Sequence, residues 1–301
     1  LLLRTSNPRQ NFECFIDSYR KCKFSSTLGF DLLIQGYVQN KRVLDAVVIL
    51  RLMRECRLLP EVRTCSAVLN GLIRIRRFDM VLDLFVEIAS LGVQPDVYTY
   101  TAVVRSLCEL KDFDRARETI RLMESNGCEL TVVTYNVLIH GLCRSQKALE
   151  AVEVKNLLGY RGLKADIVTY CTLVLGLCKV QEFEIAQELM SEMVELGFVP
   201  SEAAVSCLVE GLRRKGNVAG AHVLVNKVGK LGVLPNLFVY NALINSLCKD
   251  GKLEEAELLF TSMGKQGLFP NDVTYSVLIN SFCKRGKLDI ASSFLGKMTE
   301  A

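Results

Sequence analysis

At 301 residues, half of them hydrophobic, the chain can bury an extensive core, yet no uninterrupted apolar run approaches the ~18 residues of a membrane span. Its net charge of +4 permits a polyanionic partner without demanding one. Twelve cysteines without a CxxC pair, beside only two histidines (His140 and His222), argue against a zinc site.

Leu1–Ser26 begins without methionine and is not signal-like. Phe12, Phe15, Ile16 and Tyr19 fall on one face of a helix, which fits the second helix of an earlier, degenerate unit. From Thr27 a step of 35 residues gives unit starts at Thr27, Val62, Val97, Val132, Ile167, Glu202, Leu237 and Asp272, with no insertion. The reading is therefore seven complete repeats (27–61, 62–96, 97–131, 132–166, 167–201, 202–236 and 237–271) and a truncated eighth at 272–301. Both ends read as cut from a longer array, with any targeting peptide upstream.

Leu237–Asn271 shows the layout most clearly. Tyr240, Leu243, Ile244 and Leu247 recur at helical spacing up to Asp250-Gly251; Leu253, Ala256, Phe260 and Met263 do so again until Gly267 and Pro270. One apolar stripe per helix makes a hairpin without its own core, so each unit needs a neighbour on either side. The twentieth place of the units is Ala46, Val81, Ala116, Ala151, Ala186, Ala221, Ala256 and Ala291, small enough for close helix approach. Gly92, Gly127, Gly162, Gly197, Gly232 and Gly267 follow the second helix as left-handed caps, and Pro95, Pro200, Pro235 and Pro270 break the chain three places later. Leu130 and Ala165 replace that proline in two units. Thr27–Glu61 is the least regular unit, with Arg57 where glycine is usual. Cys108, Cys143, Cys178, Cys248 and Cys283 share the twelfth place and read as reduced packing thiols.

The stripe formed by places two, five, nine and thirteen of each first helix is polar or variable where the core stripe (four, seven, eight, eleven) is apolar, which marks it as a ligand surface. The thirteenth place carries Arg74, Arg144, Lys179, Arg214, Lys249 and Lys284, interrupted by Gln39 and Glu109. Cations at a fixed pitch can follow a phosphate backbone; near a helix C-terminus they also favour the dipole. The glycine-lysine pairs at 251–252 and 286–287 lack the rest of a phosphate loop and read as inter-helix turns.

The recurring string T-Y-N-x-L-I-x-x-L-C-K-x-G-x-x-x-x-A-x-x-x-x-x-x-M-x-x-x-G-x-x-P-[DN], over Thr27 to Ala301, resembles the pentatricopeptide repeat family in its plain 35-residue class. The tetratricopeptide alternative has a 34-residue period and a tryptophan-bearing first helix, and this chain has no tryptophan. The resemblance implies an all-α, right-handed superhelical solenoid of antiparallel helix pairs. It also implies binding of single-stranded RNA, one nucleotide per unit, by a fragment of a longer plant-type organellar protein, in the mitochondrion ahead of the chloroplast. Processing, stabilisation or translation of transcripts are the expected roles, with no membrane partner.

By the same resemblance, second-place residues from successive units sandwich each base: here Tyr98, Val133, Val168, Phe238 and Val273, with Arg63 able to stack and Ala203 offering little. Ordinary packing at a helix start is the alternative. Base choice falls to the fifth and last places. These are Ser66 with Asp96, Thr101 with Thr131, Asn136 with Asp166, Cys171 with Ser201, Ser206 with Asn236, and Asn241 with Asn271, with Ser276 unpartnered. A carboxylate accepts the ring N–H of guanine or uracil, and an amide donates to the bare ring nitrogen of adenine or cytosine. The family correspondence then gives guanine for the unit at Val62, uracil at Val132, adenine at Glu202, and cytosine or uracil at Leu237. Asp31/Glu61, Thr101/Thr131 and Cys171/Ser201 depart from the common code and leave their nucleotides open. Asp96, Asp166, Asn236 and Asn271 are equally good N-caps. No cofactor, metal or catalytic arrangement is expected, and the H-x-E…C-x-x-C module of the family's deaminases is absent from the sequence. The alternative function is an adaptor that grips a protein or peptide.

Overall fold

The computed structural model describes residues 7–21, 26–229, 231–232, 236–265 and 267–300. Among them are seventeen α-helices and no strand. The chain divides into two compact units, residues 1–145 with 160–163 and residues 146–159 with 164–301.

In the first unit, α1 (Pro8–Lys21) precedes the pairs α2 (Leu28–Gln39) with α3 (Val43–Glu55), α4 (Val62–Arg74) with α5 (Phe78–Ser90), and α6 (Val97–Glu109) with α7 (Phe113–Ser125), followed by α8 (Val132–Arg144). The first helices α2, α4, α6 and α8 pack each on the next, and every second helix packs on both its own partner and the following first helix. The second unit repeats this arrangement. After α9 (Ala148–Tyr160) come α10 (Ile167–Lys179) with α11 (Phe183–Glu195) and α12 (Glu202–Arg214) with α13 (Val218–Gly229). They are followed by α14 (Leu237–Lys249) with α15 (Leu253–Lys265) and α16 (Asp272–Lys284) with α17 (Leu288–Glu300).

The core follows the 3.6-residue period. Places four, seven, eight and eleven are buried in α6 (Tyr100, Val103, Val104, Leu107), and again in α14 (Tyr240, Leu243, Ile244, Leu247). Each such side chain contributes about 1.5–3 kcal/mol by leaving water. Ala116, Ala186, Ala221 and Ala256 at the twentieth place are wholly buried, as is Val81. The post-helix glycines adopt φ near +80°, as at Gly92 and Gly267. Arg57 takes the same left-handed conformation without being glycine. Pro235 lies outside the described residues.

The twelfth-place cysteines are largely as expected. Cys108 is buried because Gly141 of α8 lies directly over it: a β-carbon there would fall 2.7 Å from Cys108 Cβ. Burial pushes the Cys65 and Cys108 thiols up to about 12, which keeps them protonated and inert. Cys283 departs from the expectation of a buried thiol. It is exposed, because α16 has no following first helix among the described residues to cover that flank.

A second close approach makes a prediction. Gly211 of α12 faces the ring of Phe183 at the start of α11, and a β-carbon there would overlap that buried ring. Gly211→Ala gains about 1 kcal/mol of helix propensity but overpacks a closed contact, so a net loss of about 1–2 kcal/mol is expected in urea unfolding. In a Phe183→Leu background the same change should be neutral or stabilising.

Candidate nucleic-acid interface

Because the first helices from α4 onward start at place one, the last residue of the preceding repeat is the N-cap of each. That cap hydrogen-bonds the third residue of the helix, beside the fifth place of the first helix before it. Asp96 caps α6: its Oδ1 accepts from Thr99 N (2.8 Å), from Thr99 Oγ1 (2.6 Å) and from Ser66 Oγ of α4 (3.2 Å). Asn271 caps α16 in the same way, its Oδ1 accepting from Thr274 N (3.1 Å), Thr274 Oγ1 (3.0 Å) and Asn241 Nδ2 of α14 (3.2 Å). In both cases the inner oxygen is saturated by protein donors. The outer atom is what remains for a ligand: an accepting oxygen in Asp96, a donating amide nitrogen in Asn271. Capping uses the atom that Asp and Asn share, and recognition can use the atom in which they differ.

The other pairs vary on this plan. Asp166 caps α10 through Thr169 N (2.8 Å), and its own N–H donates to Thr169 Oγ1 (3.2 Å); Asn136 lies half-buried on α8 in the other compact unit. Asn236 caps α14 through Val239 N (3.0 Å), and Ser201 caps α12 through Ala204 N (3.3 Å), with Cys171 half-buried on α10. Thr131 makes no side-chain cap bond; its hydroxyl and that of Thr101 both meet Thr134 Oγ1, at 3.3 and 2.9 Å. Ser276 is exposed on α16. Asp31 is buried, with Oδ1 accepting from the backbone N–H of Glu61 (3.0 Å), so it serves the helix joint.

The second place is uniformly open. Tyr98 is 72% exposed, Val133 62%, Val168 54%, Phe238 73% and Val273 54%, while Arg63 and Ala203 are exposed too. Packing at the helix start therefore does not account for them; large hydrophobic side chains stand in solvent at this place in five repeats. Phe238 and Val273 wall a cavity of about 560 Å³ whose polar lining includes Asn241, Asn245 and Asn271. Apolar walls with a polar floor suit a flat aromatic ring with hydrogen-bonding edges.

All six thirteenth-place cations are exposed. Arg144 Nη1 bonds Glu109 Oε1 at 2.7 Å, and Arg214 Nε bonds Glu210 Oε1 at 2.8 Å. Hydrogen bonds from Arg213 and then Arg214 hold the Glu210 carboxyl below its usual range. Arg74, Lys179, Lys249 and Lys284 make no ion pair among the described residues. What sequence reasoning missed is the third place: Thr64, Thr99, Thr134, Thr169 and Thr274 are completely buried. The signal was present as the T of the recurring T-Y-N string.

No helix is long and apolar enough to cross a membrane among the described residues. Family models described as "PPR repeat family" match residues 130–179, 165–214 and 235–284, "Pentatricopeptide repeat domain" matches 83–144, and "PPR repeat" matches 30–58, 63–93 and 273–301. A putative pentatricopeptide repeat-containing protein of Arabidopsis thaliana is 59% identical over 94 residues, covering 31% of this chain and 10% of that protein. The crystal structure of the pentatricopeptide repeat protein PPR10 from maize aligns with 99% of this chain and 44% of its own, at TM-score 0.61 and 24% identity. PPR10 in complex with an 18-nt psaJ RNA element aligns with 99% and 47%, at TM-score 0.57 and 22% identity. The chain thus spans a tenth of the curated relative and under half of the solved one. The likeness to these structures is one of fold, an all-α array of helical repeats.

Proposed function

This chain belongs to the pentatricopeptide repeat family, and we propose that it is a sequence-selective single-stranded RNA binder of the plain 35-residue class, reading one nucleotide per repeat. The observation that carries this is the cavity between Phe238 and Val273, with Asn241 and Asn271 in its lining. A base slides between the two apolar side chains, and its edge meets the outward atom of the cap. Tyr98, Val133 and Val168 are the corresponding exposed residues of other repeats. The base-reading set is Ser66/Asp96, Thr101/Thr131, Asn136/Asp166, Cys171/Ser201, Ser206/Asn236 and Asn241/Asn271, with Ser276. Arg74, Lys179, Lys249 and Lys284 meet phosphates first, and Arg144 and Arg214 do so on leaving their glutamates. The repeats are the seven units from 27 to 271 and the partial unit from 272, with residues before 27 the remainder of an earlier one.

The reading is of capture, without catalysis. These are stacking, hydrogen-bonding and charge-pairing groups, which suit an effect on processing, stability or translation exerted by occupancy. The transcript is organellar in this proposal, with the mitochondrion ahead of the chloroplast; imaging of the tagged full-length reading frame checks that assignment.

Repeat by repeat from Val62, the expected bases are guanine, any, uracil, any, adenine and a pyrimidine. In a mobility-shift assay, RNAs carrying that series in either polarity should bind at least tenfold tighter than scrambled RNAs of the same composition. Equal affinity for matched and scrambled RNA, or capture of a peptide in place of RNA, would turn the reading to the adaptor alternative.

A further inference from the structure

We propose that, within each compact unit, the third-place threonine of the following repeat, where there is one, is the positioning residue for the base-reading pair. On this proposal Thr274 holds Asn241 and Asn271, Thr99 holds Ser66 and Asp96, and the Ser206/Asn236 pair is left unheld by Val239. This deepens the RNA reading above and rests on it.

The geometry is specific. Thr274 Oγ1 lies 2.6 Å from Asn241 Oδ1 and 3.0 Å from Asn271 Oδ1, so one hydroxyl bridges two residues that stand 30 apart in sequence. An amide can present either end to a ligand, and which end faces out decides whether it donates or accepts. The one hydroxyl proton serves chiefly the nearer acceptor, Asn241 Oδ1, and holds it inward; Asn271 Oδ1 is held inward in addition by the Thr274 backbone N–H at 3.1 Å. Asn241 Nδ2 then donates to Asn271 Oδ1 (3.2 Å), and Asn271 Nδ2 makes no hydrogen bond among the described residues, which leaves it for a ligand. At the earlier joint Thr99 Oγ1 donates to Asp96 Oδ1 (2.6 Å), and the Ser66 hydroxyl lies 2.9 Å from Thr99 Oγ1. An ionised carboxylate only accepts, so the Thr99 proton goes to Asp96 and the Ser66 proton is directed at the pair. Thr274 and Thr99 are wholly buried and touch no ligand position. They act through the residues that do.

The exceptions support the assignment. Val239 has the shape of threonine without the hydroxyl, and the residue that a hydroxyl there would reach, Ser206, has a buried Oγ with no hydrogen-bond partner. Thr64 also has an unpartnered buried Oγ; there the last place is Glu61, which makes no side-chain cap, and Asp31 is turned to the backbone of Glu61. The bridge thus needs a short capping side chain as well as the threonine.

The test is Thr274→Val beside Thr274→Ser, with RNAs that differ only at the nucleotide facing Asn241 and Asn271. Thr274→Val should reduce discrimination there roughly tenfold, the equivalent of one hydrogen bond, and leave preferences at the other nucleotides unchanged. Thr274→Ser keeps the hydroxyl and should retain discrimination. Val239→Thr should sharpen preference at the nucleotide facing Ser206 and Asn236. Nitrogen-15 relaxation of the Asn241 side-chain amide, measured without RNA, should show a rigid group in the parent and Thr274→Ser and a mobile one in Thr274→Val, while Asn271 stays held by the backbone N–H of residue 274. A rigid Asn241 amide in Thr274→Val, or discrimination that survives it, overturns the proposal. If the parent binds RNA without preference at that nucleotide, the base-reading role falls instead, and the relaxation result alone decides whether Thr274 holds the pair.

Discussion

An Asp96→Asn variant is expected to fold as the parent does and to exchange guanine for adenine at one nucleotide, that facing the repeat at 62–96. The two halves of this expectation come from different atoms of one side chain. Asp96 Oδ1 takes Thr99 N, Thr99 Oγ1 and Ser66 Oγ, all of which an asparagine oxygen can accept in the same place. Asn and Asp are near-equal N-caps, so the thermal midpoint should move little. The outer oxygen, by contrast, becomes an NH₂ group. An acceptor suited to the ring N–H of guanine becomes a donor suited to the bare ring nitrogen of adenine. A mismatched hydrogen bond in a desolvated site costs about 1–3 kcal/mol, so relative affinity should shift by roughly 10- to 100-fold at this base alone. Competition binding with RNAs that differ only there measures it. An unchanged preference in a folded variant would remove Asp96 from the base-reading set.

Replacing both Lys249 and Lys284 by glutamate should act quite differently, weakening every RNA by roughly a hundredfold at low salt irrespective of sequence. These lysines lie at the same place of α14 and α16 and make no ion pair among the described residues, so their charge is available to phosphates. Losing two phosphate contacts on a single strand should flatten the slope of log affinity against log salt by about 1.4. Arg144→Gln is the control, because its guanidinium already meets Glu109 at 2.7 Å and its removal should flatten the slope less. If the lysines serve only the helix dipole, the double variant would lose about 0.3–1 kcal/mol of stability per site and no salt dependence. Binding across a salt series, alongside thermal unfolding, separates the two roles.

Much of this was legible along the chain. The 35-residue step places the starts of α4, α6, α8, α10, α12, α14 and α16 at Val62, Val97, Val132, Ile167, Glu202, Leu237 and Asp272, where the helices begin. Asp96, Asp166, Asn236 and Asn271 were readable as caps, and the structure gives each of them a cap bond. Cys283 was misjudged because its burial depends on a following helix, and the ion pair of Arg144 with Glu109, 35 residues away, is not written in any local pattern.

Sequence by itself determined the period, the helices, the buried stripe and the residue types on the opposite face. Those are set by nearest-neighbour chemistry: a 3.6-residue turn, a cap three residues from its N–H, a break at glycine and proline. Tertiary structure alone decided which atom of Asp96 and of Asn271 is taken by donors of the preceding first helix, and that Tyr98 and Phe238 stand in solvent. It also decided that a threonine hydroxyl joins residues 33 positions apart. A hydrogen bond is made or lost within a few tenths of an ångström, and that distance is fixed by how one helix packs on the next, which no local pattern records.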